Sequence, residues 1–378
     1  MTSAEIVFAI SSAYFFVDPT WETYKTILCI ANILPHKKIN FLLFVLKIYF
    51  YDLYMYSIII DMKVKDFFID LAKGASLGTG LLPGVSAGTV GLIVNIYDKL
   101  ISGINDLKKN FLRAFLTLLP IGIGWVASGI LLLYVQHKCW DYIPFIIVCM
   151  CTGFLIGGMP TIYKESGIEK IKKSDGLRMT IGFIVATLIG VFSVLAYVFN
   201  WFSFEEAFAN PNQNWWVYIV IIAIGFVAAA ACIIPGISGA MILFIFGLYQ
   251  PVLNIYFGDN SIIHNHDRLG SGLLLTLCLV VGVVLGFLAI SKVMKSLLEK
   301  HKRGTYGYVL GFVAGSIVAM FVNNQIWPAY SNPNTSQWYQ YLIGIILLIA
   351  IAIATLLLIK LSSRKKEENL TKIKQSNN

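Results

Sequence analysis

Residues 82–97 read LPGVSAGTVGLIVNIY, and residues 234–249 read IPGISGAMILFIFGLY. Laid over one another without a gap, at an offset of 152, the two share Pro, Gly, Ser, Ile and Tyr. Leu/Ile, Val/Ile, Ala/Gly and Gly/Ala exchanges fill much of the remainder. Each copy lies in a long apolar stretch, 66–100 or 215–256, that a Pro-Gly-x-Ser sequence breaks in its middle. A second echo follows at an offset of 158, where GFLIGG (153–158) is matched by GFVAGS (311–316). Two echoes in the same order point to an internal duplication, the usual plan of secondary transporters.

Outward from these turns the chain is apolar. Of its 378 residues 57% are hydrophobic and 13% charged, against about 45–50% and about 25% in soluble domains. That excludes an ordinary soluble protein. Segments 111–135, 143–159, 178–200, 270–291, 307–322 and 338–360 each approach the ~20 residues a helix needs to cross ~30 Å of hydrocarbon. The expected fold is an all-α polytopic membrane protein of two inverted repeats, each with a re-entrant helix pair plus three transmembrane helices. The six cysteines are scattered through apolar stretches without zinc or CxxC spacing, and they read as small packers. No metal or cofactor is expected.

The net charge of +9 would suit nucleic acid if it were clustered on a soluble face, but it sits at membrane borders. Loops 99–113, 160–178 and 292–303 and the tail from Lys360 hold the basic residues, whereas 136–142, 201–214, 257–269 and 323–337 hold only Lys138 and Arg268. By the positive-inside rule the first group is cytoplasmic. Stretch 66–100 then enters and leaves from the cytoplasm and 215–256 from outside, so the halves are inverted. The expected organisation is a transporter domain over 62–360 (repeats 62–201 and 215–360) and a cytoplasmic tail, 361–378. Residues 1–61, rich in aromatics and lacking a signal peptide, read as an atypical extension ahead of a natural start at Met62, or as an interfacial segment.

Backbone that stops being helical at membrane depth is tolerated only where protein buries it or it lines a cavity. Proline at a first helical position suits a new helix start. Helices beginning at Pro83 and Pro235 would therefore aim free N–H groups at the membrane centre, an arrangement ready for phosphate or carboxylate. Gly84 and Gly236 would admit close backbone approach, and Ser86, Thr89 and Ser238 would offer hydroxyls. The plainer reading is a pair of kinked helices whose serines bond back to carbonyls. Asp70 and Lys73, the charges well inside the expected hydrocarbon, share a face at i, i+3. Lys73 would be a counter-charge for the anion and Asp70 its partner or a proton carrier; a snorkelling salt bridge is the alternative. Tyr97 and Tyr249 read as interfacial anchors in preference to headgroup ligands. His137, His264, His266 and His301 read as loop residues, and no motif supplies an acid, base or nucleophile at the midplane. No catalytic residue is expected.

KGASLGTGLLPGVSAGTVGLIVNIYDKLI (73–101) and IIPGISGAMILFIFGLYQPVL (233–253) together resemble the bacterial polyprenyl-phosphate translocase family. The likeness covers roughly 62–360. It implies translocation of undecaprenyl phosphate, the lipid carrier of cell-wall synthesis, across the cytoplasmic membrane, with the C-terminus inside. Pro83, Gly84, Val85, Ser86, Gly88 and Thr89 match that family's first motif. Pro235, Gly236, Ile237, Ser238 and Gly239 match its second, and Lys73-Gly74 resembles the opening of its first hairpin. Ala87 and Ala240 depart from it, and the second departure removes a hydroxyl. Proton or sodium coupling is compatible with the sequence but not specified by it, and neither is the oligomeric state. A membrane-embedded polyprenyl-diphosphate phosphatase and a small-anion transporter stay open as alternatives. The phosphatase pattern would continue Arg-Ser after the turn and bring glutamates, neither of which stands here.

Overall fold

The computed structural model describes residues 64–106, 109–201, 204–209, 214–233, 237–258, 261, 268–332 and 337–376. The chain divides into two units, 1–66 and 67–378, and the architecture that follows is that of the second. The expected extension 1–61, together with Pro235, Gly236, His264 and His266, lies outside the described residues.

No strand occurs among the described residues. Helix α1 (Val64–Leu77) passes through a 3-10 turn (Gly78–Leu81) to the first Pro-Gly turn, followed by α2 (Ala87–Ile93) and α3 (Tyr97–Asp106). Three long helices come next: α4 (Phe111–Trp140), α5 (Pro144–Ser166) and α6 (Lys173–Val198). After the short α7 (Phe204–Ala209), α8 (Trp216–Ile233) leads to the second turn, α9 (Gly239–Ile245) and α10 (Tyr249–Phe257). The chain ends with α11 (Leu269–Phe321), α12 (Trp327–Ser331) and α13 (Trp338–Ser376). α11 leaves helical geometry at His301, and by length and composition it holds two span-length stretches, Leu269–Met294 and Ser296–Phe321, its first and second arms.

Seven described helices are long and apolar enough to cross a membrane, one more than the six full spans read from sequence. The addition is α8, whose 18 residues cover ~27 Å. α1, with 14 residues, reaches only ~21 Å. Some segments read as loops are helical: His137 lies in the last turn of α4, Lys99 on α3, and the basic stretch 292–303 inside α11. Charge density alone had marked those stretches as loops, yet long helices carry charge where they leave the hydrocarbon.

The offset of 152 governs the backbone as well as the letters. α2 and α9 start and stop 152 residues apart, and α3 and α10 start 152 apart. A second bend, unread in the sequence, separates each short pair. It falls at Asn95 (φ 53°) in the first copy and at Gly247 (φ 74°) in the second. At the latter, α9 and α10 are bent by 106°.

Glycines set the close packing, because in lipid small residues let helix backbones approach where larger side chains would hold them apart. Gly153 and Gly157 on α5 face Leu348, Ala352 and Thr355 of α13. Gly311 and Gly315 on α11 face Met179 and Phe183 of α6. The 158-residue echo is therefore a repeated packing face. Its partners are exchanged: the fifth helix packs on the last helix of the second half, and the second arm of α11 on the last helix of the first.

Asp175, read from sequence as a loop residue, is fully buried at the start of α6. Its carboxylate accepts bonds from Arg303 Nε (3.1 and 3.2 Å) and a second Arg303 nitrogen (2.6 Å), from Arg178 (3.4 Å) and from the Lys172 N–H (3.0 Å). Arg303 also donates to the Lys170 carbonyl at 2.7 Å, fastening the bend of α11 to α6. Because the carboxylate is out of water, its bonds are little screened, and removing it takes all of them from this junction. Asp175→Ala is expected to lower the melting temperature by nearly as much at 0.5 M salt as at 0.05 M. Thermal unfolding at the two salt concentrations checks this, and a loss that vanishes at high salt would assign the cluster to the screened surface.

Candidate functional site

The first turn is tightly determined. Leu82 N–H donates to Thr79 O (3.0 Å) and Val85 N–H to Leu82 O (3.2 Å), with Pro83 and Val85 buried. Gly84 adopts φ +85°, and a Cβ there would lie 2.4 Å from the Cys151 carbonyl of α5. Only glycine meets both conditions without strain. Ser86 then caps α2: its carbonyl accepts the Val90 N–H at 3.1 Å, leaving the N–H groups of Ala87, Gly88 and Thr89 outside the ladder of the helix.

Ser238 repeats this position. Its carbonyl accepts the Ile242 N–H at 3.2 Å, its backbone is extended, and its hydroxyl makes no cap bond. That hydroxyl is buried with no partner among the described residues. Ile237 is buried in the packed cluster that also holds Cys151 and Leu155, the residues against which Gly84 rests. Ser86 and Thr89 are half-buried, Gly88 is exposed and Gly239 is buried. α2 and α9 have seven residues each, so their dipoles are small beside those of full-length helices. The capacity for an anion rests on N–H groups and hydroxyls.

The expected Asp70–Lys73 partnership is not formed. Asp70, 8% exposed, is ion-paired with Lys99 of α3. Lys73 Nζ reaches the Asn95 carbonyl at 3.4 Å, at the left-handed residue of the second bend. One lysine, Lys99, thus comes onto α1 and is neutralised there, while the other, Lys73, reaches from α1 to the second bend. Nearest-turn spacing could not find Lys99, which is 29 residues away.

Tyr249 is not an interfacial anchor. It is 4% exposed, with its hydroxyl 2.9 Å from Gln136 Oε1 and 3.3 Å from the Leu81 carbonyl, one proton serving two acceptors. It therefore ties the start of α10 to α4 and to the approach of the first turn. Tyr97, its counterpart, is 41% exposed. A tyrosine that bridges buried helices and one that sits at an interface look alike in sequence, since both need an apolar body and one polar partner.

With both turns in place, comparison with known proteins becomes informative. A family model described as undecaprenyl phosphate translocase-like matches residues 78–338, a range that includes both turns. The chain belongs to this family. Among relatives of the undecaprenyl phosphate translocase-like chain, a Staphylococcus aureus (strain NCTC 8325 / PS 47) protein named polyprenyl-phosphate transporter is 30% identical over 261 residues. That alignment covers 67% of this chain and 86% of the relative. A Vibrio cholerae serotype O1 (strain ATCC 39315 / El Tor Inaba N16961) protein of the same name is 22% identical over 267 residues, covering 70% and 79%. No solved structure matches. The family and relative names describe transporters and not enzymes. Asp70 and Lys73 lie ahead of the residues matched by the translocase-like model.

Proposed function

We propose that the chain translocates polyprenyl phosphate across the bacterial cytoplasmic membrane, returning the carrier lipid from the outer to the inner leaflet. The observation that carries this is the family match across both Pro-Gly-x-Ser turns, supported by relatives named for the same substrate over most of their length. A phosphate headgroup crosses hydrocarbon only at great cost, whereas the prenyl tail is at home there. The protein's task is to hold the headgroup while the tail stays in lipid. In this reading the phosphate is bound by the N–H groups and hydroxyls at Ser86, Thr89 and Ser238, with Gly84, Gly88, Gly236 and Gly239 allowing close approach. Pro83, Val85, Pro235 and Ile237 fix the two turns, and Lys73 supplies positive charge.

The two halves are inverted repeats in this reading, and they rock about the site in alternating access. The exchanged helix partners support it, since a two-fold relation brings each half's late helix onto the other half. In this reading α11's bend and the C-terminal tail face the cytoplasm, which their basic residues support through the positive-inside rule. Coupling to a proton or sodium ion is compatible with this cycle, with Asp70, paired with Lys99 of α3, as the buried carboxylate on the first turn's entry helix.

Leaflet exchange of a labelled polyprenyl phosphate in liposomes bearing the purified protein tests the reading. Wild type should exchange well above empty liposomes. Ser86→Ala combined with Ser238→Ala should slow exchange about 100-fold, the combined loss of two hydrogen bonds to a charged group. Exchange by the double variant at the wild-type rate would move the headgroup site elsewhere.

A further inference from the structure

A cavity of about 740 Å³ opens at the end of the bundle where α4 and α6 finish, at the opposite end of α6 from Asp175. His137, Trp140, Ser193, Gln250, Asn324 and Gln325 are among its lining residues. On its wall three side chains hold buried polar atoms with no partner among the described residues: His137 Nδ1, Gln250 Nε2 and Asn324 Oδ1. Gln250 is 8% exposed. Unpaired buried amides are unfavourable, and several at one cavity mark a place that a ligand completes.

The frame around them is fixed. Gln325 accepts the Gln250 N–H at 3.2 Å and donates to the Phe244 carbonyl at 3.2 Å, while Asn324 N–H donates to Ser193 Oγ at 3.2 Å. Gln250 therefore stands on a backbone clamped from α11's far end. Its neighbour Tyr249 bonds Gln136 and the carbonyl of Leu81, two residues before Pro83. Tyr249, next in the chain to Gln250, thus links this edge of the cavity to α4 and to the approach of the first turn.

Beside the acceptor Asn324 Oδ1, the unpaired Gln250 atom on this wall is a donor, and His137 adds a second when Nδ1 carries its proton. They call for an acceptor. No Lys or Arg lines the cavity among the described residues, and the carboxylates present, Asp141 and Glu206, are exposed, where water and salt screen them. The buried amides are not screened in this way, and a bond from them to an ionised oxygen is of the stronger, charge-assisted kind.

We infer that this cavity is a holding site for a phosphate monoester headgroup, where Gln250 donates to a phosphate oxygen before the headgroup moves on toward the Pro-Gly turns. The inference rests on the reading of the chain as a polyprenyl-phosphate transporter and adds a second position along its route.

Trp140 on the cavity wall supplies the probe. Titrating the purified full chain with geranyl phosphate should change tryptophan fluorescence saturably, and Trp140→Phe should abolish the change. Gln250→Leu, and the near-isosteric Gln250→Glu, which replaces a donor with a carboxylate, should each raise the half-saturating concentration at least about tenfold, the effect of one hydrogen bond to a charged group. In liposomes the lipid density that half-saturates exchange should rise with it. Inorganic phosphate should bind more weakly than the prenyl ester; equal half-saturation would overturn a lipid site in favour of one for free phosphate. If neither Gln250 variant moves the titration while wild type exchanges lipid, the holding site is overturned and water fills the amides. If wild type saturates with geranyl phosphate in a Gln250-dependent way but exchanges no lipid, the site stands and the transport reading falls.

Discussion

Gly84→Val is expected to slow lipid exchange at least about tenfold. Two independent penalties act on that one Cβ. The backbone at φ +85° is in the left-handed region, which costs a side-chain-bearing residue about 1–2 kcal/mol and a β-branched one more. The added atom would also lie 2.4 Å from the Cys151 carbonyl and 3.0 Å from Leu155 Cγ. α5 cannot retreat, because its other face presses Gly153 and Gly157 against α13. The turn must move instead, taking the capping position of Ser86 with it. At about 1.4 kcal/mol per factor of ten, the backbone term alone supplies the expected loss. Exchange assays and melting temperatures, run beside Gly158→Ala, decide the matter. Gly158 lies on the same helix with nothing within 4 Å of its would-be Cβ, so that change should hold or slightly raise stability. Wild-type exchange by Gly84→Val would show that the turn's geometry is not what handles the headgroup.

The second large effect is expected at the glycine seams. Gly311→Leu would place a Cβ 1.9 Å from the Met179 carbonyl, and Gly153→Leu one 2.7 Å from the Leu348 carbonyl. Both obstacles are backbone, which no rotamer change relieves. Overpacking costs about 1–3 kcal/mol even where side chains yield, so each variant should lose on the order of 5–10 °C in melting temperature. Gly311→Leu, with the shorter distance, should lose more or fail to accumulate folded protein. Size-exclusion profiles and thermal unfolding in detergent check the order. Equal stability of Gly311→Leu and Gly158→Ala would mean that these helices are not in backbone contact.

The parts of this molecule that are legible in the sequence are those with local causes. Pro83, Gly84 and Ser86 announce a break and a restart because proline, glycine and a capping hydroxyl each impose backbone geometry wherever they stand, but the new helix starts at Ala87 behind Ser86 and not at Pro83 as expected. Span positions follow from apolar length, which needs no partner. The second bends were missed because Asn95 and Gly247 adopt positive φ for tertiary reasons and carry no flanking turn signal. The Asp70–Lys99 pair and the Asp175–Arg303 cluster join residues 29 and 128 positions apart, beyond any i, i+3 or i, i+4 rule. Tyr249 was misplaced for a different reason: its chemistry suits an interface and a buried bridge equally, and only the fold supplies Gln136. The GFLIGG echo was recognised as repetition, but its meaning as a contact face required knowing which helix lay opposite.

The exchanged seams also have a consequence in time. Gly153 of α5 waits for Leu348 of α13, a residue added nearly two hundred positions later. At elongation rates of roughly 5–20 residues per second, that wait lasts on the order of ten to forty seconds. During it the small-residue face of α5 stands against lipid or against a temporary neighbour. The nascent protein therefore cannot finish its first half before its second half is in the bilayer, and maturation is governed by the arrival of the final helix.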